Sequence, residues 1–167
     1  HDALLITEAH NFNGVQWGKD KRYLRNNFTP ASQIASLFWD YYEFTGDEEF
    51  LKERAYTFMK KASHFYLDRL EWDEEKNEYF LKASLYESAP IAYVKNPISD
   101  RNCIERLFKD CIRAAEILNV DKDEVKQWRH VLNHLWERGY QQFGECGEVI
   151  SPAEEYYTEK RYSPWIW

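Results

Sequence analysis

Between positions 30 and 70, apolar residues recur at helical spacing in two runs separated by one short polar break. In the first run Ile34, Phe38 and Tyr41 fall on one face; in the second Leu51, Ala55, Phe58, Ala62 and Phe65 follow a 4-3-4-3 rhythm. Each run therefore predicts an amphipathic helix. The break is Thr45-Gly46-Asp47. Gly46 suits the left-handed residue that closes a helix, Asp47 can cap the next one, and Glu48 and Glu49 oppose its N-terminal dipole. So short a break predicts an antiparallel αα-hairpin.

A second pair repeats the plan. Ile104, Leu107, Cys111, Ala114 and Leu118 share one face, Asn119-Val120-Asp121 closes that helix, and Val125, Trp128, Leu132 and Leu135 form the stripe of a fourth. Asp121, with Glu124 three residues on, reads as a capping box. Between the two pairs a polar turn flanked by aromatic and aliphatic residues predicts a small β-hairpin near 72–83. Pro90 turns its predecessor away from helix, so a loop is expected to run on to Pro97 and Ser99. The stretch 139–167 reads as irregular, yet too aromatic for a disordered tail. The expected fold is mainly α, one helical domain over 1–167 built from αα-hairpins.

Composition narrows the partners. Net charge is −7 with both signs interspersed, which excludes the basic stripe that a phosphate backbone calls for. The one basic cluster, 19–25, is too short for a nucleic-acid arm and reads as a solvated face. No window reaches the roughly 18 apolar residues of a membrane helix, so no membrane partner is expected. Aromatic residues make up 17% of the chain, and Tyr and Trp in this abundance suit either a core or a cleft that stacks sugar rings. Cys103 and Cys111 sit eight residues apart on one helix, roughly 12 Å along its axis, too far to pair, and Cys146 lies near two glycines in a loop.

The strongly specific motifs are absent: no phosphate loop, nucleophile elbow or zinc-type cysteine pair occurs, and no cofactor is expected. His130 and His134 have the spacing of a shared metal, but they fall opposite the apolar stripe with no third ligand, so they read as solvated and no metal is expected. Glu87 lies in a short non-helical segment beside Tyr86; a carboxyl held against aromatic neighbours has the raised pKa that a general acid needs, whereas a solvated loop glutamate does nothing. Glu154 and Glu155 are further carboxylates in a tyrosine-rich setting. The stretch 8–18, with His10, Asn11, Asn13 and Trp17, reads as either a connector or a loop lining a binding surface.

Taken together, the run 38–51 (FWDYYEFTGDEEFL), Arg54-Ala55-Tyr56, Asp100, 104–108 (IERLF), Cys111-Ile112, 114–118 (AAEIL) and the His10-Asn11-Phe12-Asn13 stretch with Trp17 resemble the (α/α)6-toroid, or six-hairpin, glycosidases, nearest to the family 95 α-L-fucosidases. The likeness spans roughly 9–135. It implies inverting hydrolysis of an α-linked terminal sugar such as α-L-fucose, with an oligosaccharide or glycoconjugate as partner. The family's acid is a Glu in a Ser-Pro-Glu-Asn stretch; Tyr86-Glu87-Ser88 stands at that place here, one residue out of register and without the flanking Pro and Asn. The resemblance makes Glu87 the candidate acid and His10, Asn11, Asn13, Trp17, Tyr86, Glu154 and Glu155 candidate substrate contacts. It also implies a secreted or periplasmic location. A toroid holds about a dozen helices and this chain writes four, and it opens on His1, so the expectation is a segment of a larger catalytic domain that holds the remaining helices and the second catalytic group. The alternative is a non-catalytic helical-repeat module binding carbohydrate or protein through its aromatic loops.

Overall fold

The computed structural model describes residues 2–6, 27–85 and 92–157. Among the described residues the first helix, α1, spans Thr29–Thr45. Gly46 closes it at φ 67° with its N–H on Tyr42 O, and the Asp47 carboxylate accepts the Phe50 N–H at 2.9 Å. Both local expectations at this turn are met. Helix α2 starts there as Glu48–Phe50, passes through a π-helical stretch, Leu51–Ala55, and continues as Tyr56–Arg69. The second pair is α3, Ile98–Leu118, and α4, Lys122–Asn133.

Long-range contacts fix how the pairs lie. Arg106 reaches Asp40 at 2.6 Å and Arg113 reaches Glu43 at 2.8 Å, which sets α3 parallel to α1. Tyr56 Oη donates to Asp121 at 2.7 Å and Trp128 Nε1 to Ser63 Oγ at 3.1 Å, which sets α4 parallel to α2. The two hairpins therefore point the same way, with both tight turns at one end of the layer. The fold is mainly α, two hairpins of a toroid-like arc. Trp39, Leu51, Met59, Ile104, Phe108, Cys111 and Trp128 are fully buried between them, and each large side chain so buried contributes roughly 1.5–3 kcal/mol.

Strands gather at the opposite end. β1, Glu71–Asp73, pairs with β2, Glu78–Phe80, which is the expected hairpin. β3, Lys82–Leu85, pairs with β4, Ala92–Lys95, so the described part of the loop expected up to Ser99 is largely sheet, and α3 already begins at Ile98. The stretch after 139 is also more regular than expected. β5, Tyr140–Gln142, pairs with β6, Glu148–Ile150, and β7, Glu155–Tyr156, adds to the free edge of β4. Short strands of mixed polarity carry too little period to be read along the chain.

Two helix details differ from expectation. On α1 the buried positions are Ala31, Ser32, Ala35 and Trp39, while Tyr41 is exposed. Three small residues and Trp39 form the inward face, and Phe38 and Tyr41 turn towards Phe50, at 5.8 and 4.4 Å between ring centroids. Asp121 stands at the start of α4 with φ 50° and makes no side-chain cap. Its carboxylate is taken by Tyr56 and Lys60, and Glu124 faces His64 and Lys60, so tertiary partners displace the capping box.

Candidate active site

Of the residues expected to act, His10, Asn11, Asn13, Trp17, Tyr86 and Glu87 lie outside the described residues. Their supports do not. β3 and β4 stay in register to Leu85↔Ala92, so the connection carrying Tyr86 and Glu87 is bracketed by a closed antiparallel pair. β7 runs antiparallel to β4 from Lys95↔Glu155 through Val94↔Tyr156, and the Tyr157 N–H reaches Tyr93 O at 2.9 Å. One three-stranded sheet thus joins the Glu87 connection to the carboxylates Glu154 and Glu155. Those two sit at the Lys95 end, about 10 Å along the strand from Ala92 at roughly 3.4 Å per residue.

Glu154 is heavily engaged. Lys76 Nζ donates to its Oε1 at 2.6 Å, Asn96 Nδ2 to its Oε2 at 2.5 Å, and Lys95 lies 3.5 Å away. Burial pushes this carboxyl up, but those hydrogen bonds and charges hold it below the usual range. Glu78, on β2, goes the other way. Burial raises it, with the Glu154 charge adding and Lys76 and Lys95 opposing. Lys82 and Lys95 each lie 5.1 Å from the Phe80 ring centroid, so one aromatic face of the hairpin is lined by ammonium groups. Asn96 ties the cluster together: its N–H donates to Leu81 O at 2.7 Å, its Oδ1 accepts the Leu81 N–H at 2.9 Å, and it holds φ 56°.

In the first turn of α3, Asp100 is 1% exposed. Burial pushes its carboxyl up to about 7, against hydrogen bonds from Ser99 and Tyr66 that pull it down. The Tyr66 phenol is itself raised well above its ordinary value, by burial first and then by the Asp100 and Cys103 charges. Asp100, Asn96, Lys76 and Lys95 were not among the expected site residues. For Asp100 a signal exists: it continues the Ile104–Leu107–Cys111 stripe back by four positions, so a carboxyl occupies a core position.

His130 is exposed, as its place opposite the apolar stripe predicts, and His134 is half-buried. The His130 and His134 rings are 4.3 Å apart, and both meet Trp72, at 6.1 and 5.6 Å. They seat the β1–β2 hairpin on α4, where the Tyr79 N–H also donates to His134 O at 2.6 Å. Among the described residues no cluster of three metal-ligating side chains occurs. Cys103, Cys111 and Cys146 are free thiols, as expected.

This chain matches the glycosyl hydrolase family 95 catalytic domain over residues 5–164. It is 22% identical to the protein-glucosylgalactosylhydroxylysine glucosidase of Dictyostelium discoideum over 177 residues, covering 92% of this chain and 24% of that protein. Over 52 residues, 31% of this chain and 8% of the other, it is 39% identical to the kojibiose hydrolase of Flavobacterium johnsoniae. It thus spans about a quarter of the first of these relatives and less of the second.

Proposed function

The chain belongs to glycosyl hydrolase family 95, and from that premise we propose that it forms part of a catalytic domain that hydrolyses a terminal α-linked sugar from an oligosaccharide or glycoconjugate. The family match takes in Glu87 and its whole sheet, and this carries the reading. Glu87 acts as the general acid: its proton goes to the glycosidic oxygen as the C–O bond breaks, while a base elsewhere in the domain takes a proton from the attacking water. Attack from the opposite face inverts the anomeric centre. His10, Asn11, Asn13, Trp17 and Tyr86 contact the sugar. Glu154 and Glu155 lie on the same sheet, and Glu154, already bonded to two side chains, serves to stiffen it. The rest of the domain supplies the remaining helices and the second catalytic group.

α-L-Fucose is the first choice of terminal sugar by likeness to family 95 α-L-fucosidases. Glucose is the second, favoured by the glucosidase among the relatives. The test is turnover of aryl α-fucosides and α-glucosides by the polypeptide containing this segment, with product configuration followed by NMR. Glu87→Gln is expected to lower kcat by about 10²–10⁴-fold on the substrate that is cleaved. Undiminished turnover by that variant overturns the assignment of the acid.

A further inference from the structure

Tyr66 has one hydroxyl proton, and Phe28 O at 3.1 Å and Asp100 Oδ1 at 3.3 Å both lie within its reach. Phe28 is the residue from which α1 starts, the point where the chain arrives from the stretch holding His10, Asn11, Asn13 and Trp17. All three groups are buried. We propose that Asp100 is a positioning residue: acting through the Tyr66 hydroxyl, its proton decides whether the Phe28 carbonyl is held or released.

Counting protons gives the two states. With Asp100 protonated, its O–H donates to the Tyr66 oxygen, and the Tyr66 proton is directed to Phe28 O; every member of the chain has a partner. With Asp100 ionised, a charge-assisted bond draws the Tyr66 proton to the carboxylate, and Phe28 O loses its side-chain donor. The change moves one proton to solvent and breaks no covalent bond.

The surroundings favour such a device. Ser99 Oγ donates to the other oxygen, Asp100 Oδ2, at 3.3 Å. From α1, Ser32 faces the phenol, with its own proton given to Thr29 O at 2.7 Å; from α3, Cys103 lies close; from α2, the Arg69 guanidinium sits over the Phe28 and Phe65 rings at 5.7 and 5.6 Å. Among the described residues no cation acts on the Asp100 carboxyl, and burial brings its titration to about 7. The switch therefore works in the range where a glycosidase acid must also hold its proton. That last consequence rests on the proposed function; the switch itself does not.

Amide hydrogen exchange over α1 at pH 5.5 and 8.0, corrected for intrinsic rates, tests it without any substrate. The first two turns are expected to lose protection by about fivefold to tenfold at the higher pH, the worth of one hydrogen bond. Asp100→Asn, which keeps a donor towards Tyr66, holds the protected state at both pH values. Tyr66→Phe is unprotected at both. Should the variants not fold, carbon-13 spectra of the wild type read the same coupling, with the Asp100 carboxyl and the Phe28 carbonyl expected to titrate together near neutrality. Protection independent of pH in the wild type, an Asn variant that follows it, or a Phe28 carbonyl indifferent to pH each overturns the proposal.

Discussion

The two ends of this layer of helices are built on different principles. At the turn end, Gly46, Asp47 and Thr45 find partners within a few residues, and Asn119 closes α3 in the same left-handed way at φ 53°, while Asp121 beside it is bound from afar by Tyr56 and Lys60. At the sheet end the partners are distant in sequence: Lys76 reaches Glu154, Leu81 reaches Asn96, and Tyr66 reaches both Phe28 and Asp100. The first kind of structure stabilises the hairpins locally. The second places buried or paired ionisable groups at the sheet end of the layer, at a cost in desolvation that only long-range contacts offset.

The largest test of that contrast is pH. Below about pH 4 Asp100 is protonated folded or unfolded. As pH rises the unfolded chain loses this proton first, and the folded carboxyl follows at about 7, so stability falls across that window and levels off above it. The drop is bounded at about 4 kcal/mol. Denaturant unfolding of wild type minus Asp100→Asn is expected to isolate it, because the acid-side loss from residues such as Glu105, held at about 2 chiefly by Lys109 and Arg101, is common to both. A pH-independent difference contradicts the account.

Asn96→Ala comes next. It removes the partner of the Leu81 N–H and one partner of Glu154 and puts a Cβ residue without a polar side chain at φ 56°, for a loss of about 3 kcal/mol by chemical denaturation. At the turn end Gly46→Ala meets no heavy atom within 4 Å, so only the φ of 67° opposes it, at about 1 kcal/mol. Asp47→Ala, which removes the α2 cap, is expected to cost a similar amount. Smallest is Arg129→Ala: its 2.5 Å pair with Glu116 is over half exposed, so thermal melting shifts by less than the equivalent of about 0.5 kcal/mol. If turn-end changes outweigh Asn96→Ala, the comparison between the ends is wrong.

This asymmetry also explains what could be read along the chain. The α2 and α3 stripes and the Gly46–Asp47 turn are local in sequence, and Ala55, Ala62, Leu107 and Cys111 are buried as their spacing predicts. Where a local preference competes with a distant partner, the distant partner wins. Asp121 gives up its cap to bind Tyr56 and Lys60. The three-stranded sheet escaped notice because its strands are four residues or shorter and its last member arrives from some 60 positions away. Glu87 is proposed as the acid chiefly through resemblance to a family, since nothing in its spacing separates it from a solvated loop residue.

The central claim, that the strand-bearing end receives the sugar, is tested most directly by amide chemical-shift mapping as an α-fucosyl or α-glucosyl oligosaccharide is added to the polypeptide containing this segment. The account predicts that the shifts gather at Leu85, Ala92, Tyr93 and Tyr157, leaving Thr45–Asp47 and Asn119–Asp121 unmoved. Shifts centred on those two turns, or spread evenly over the helices, would contradict it.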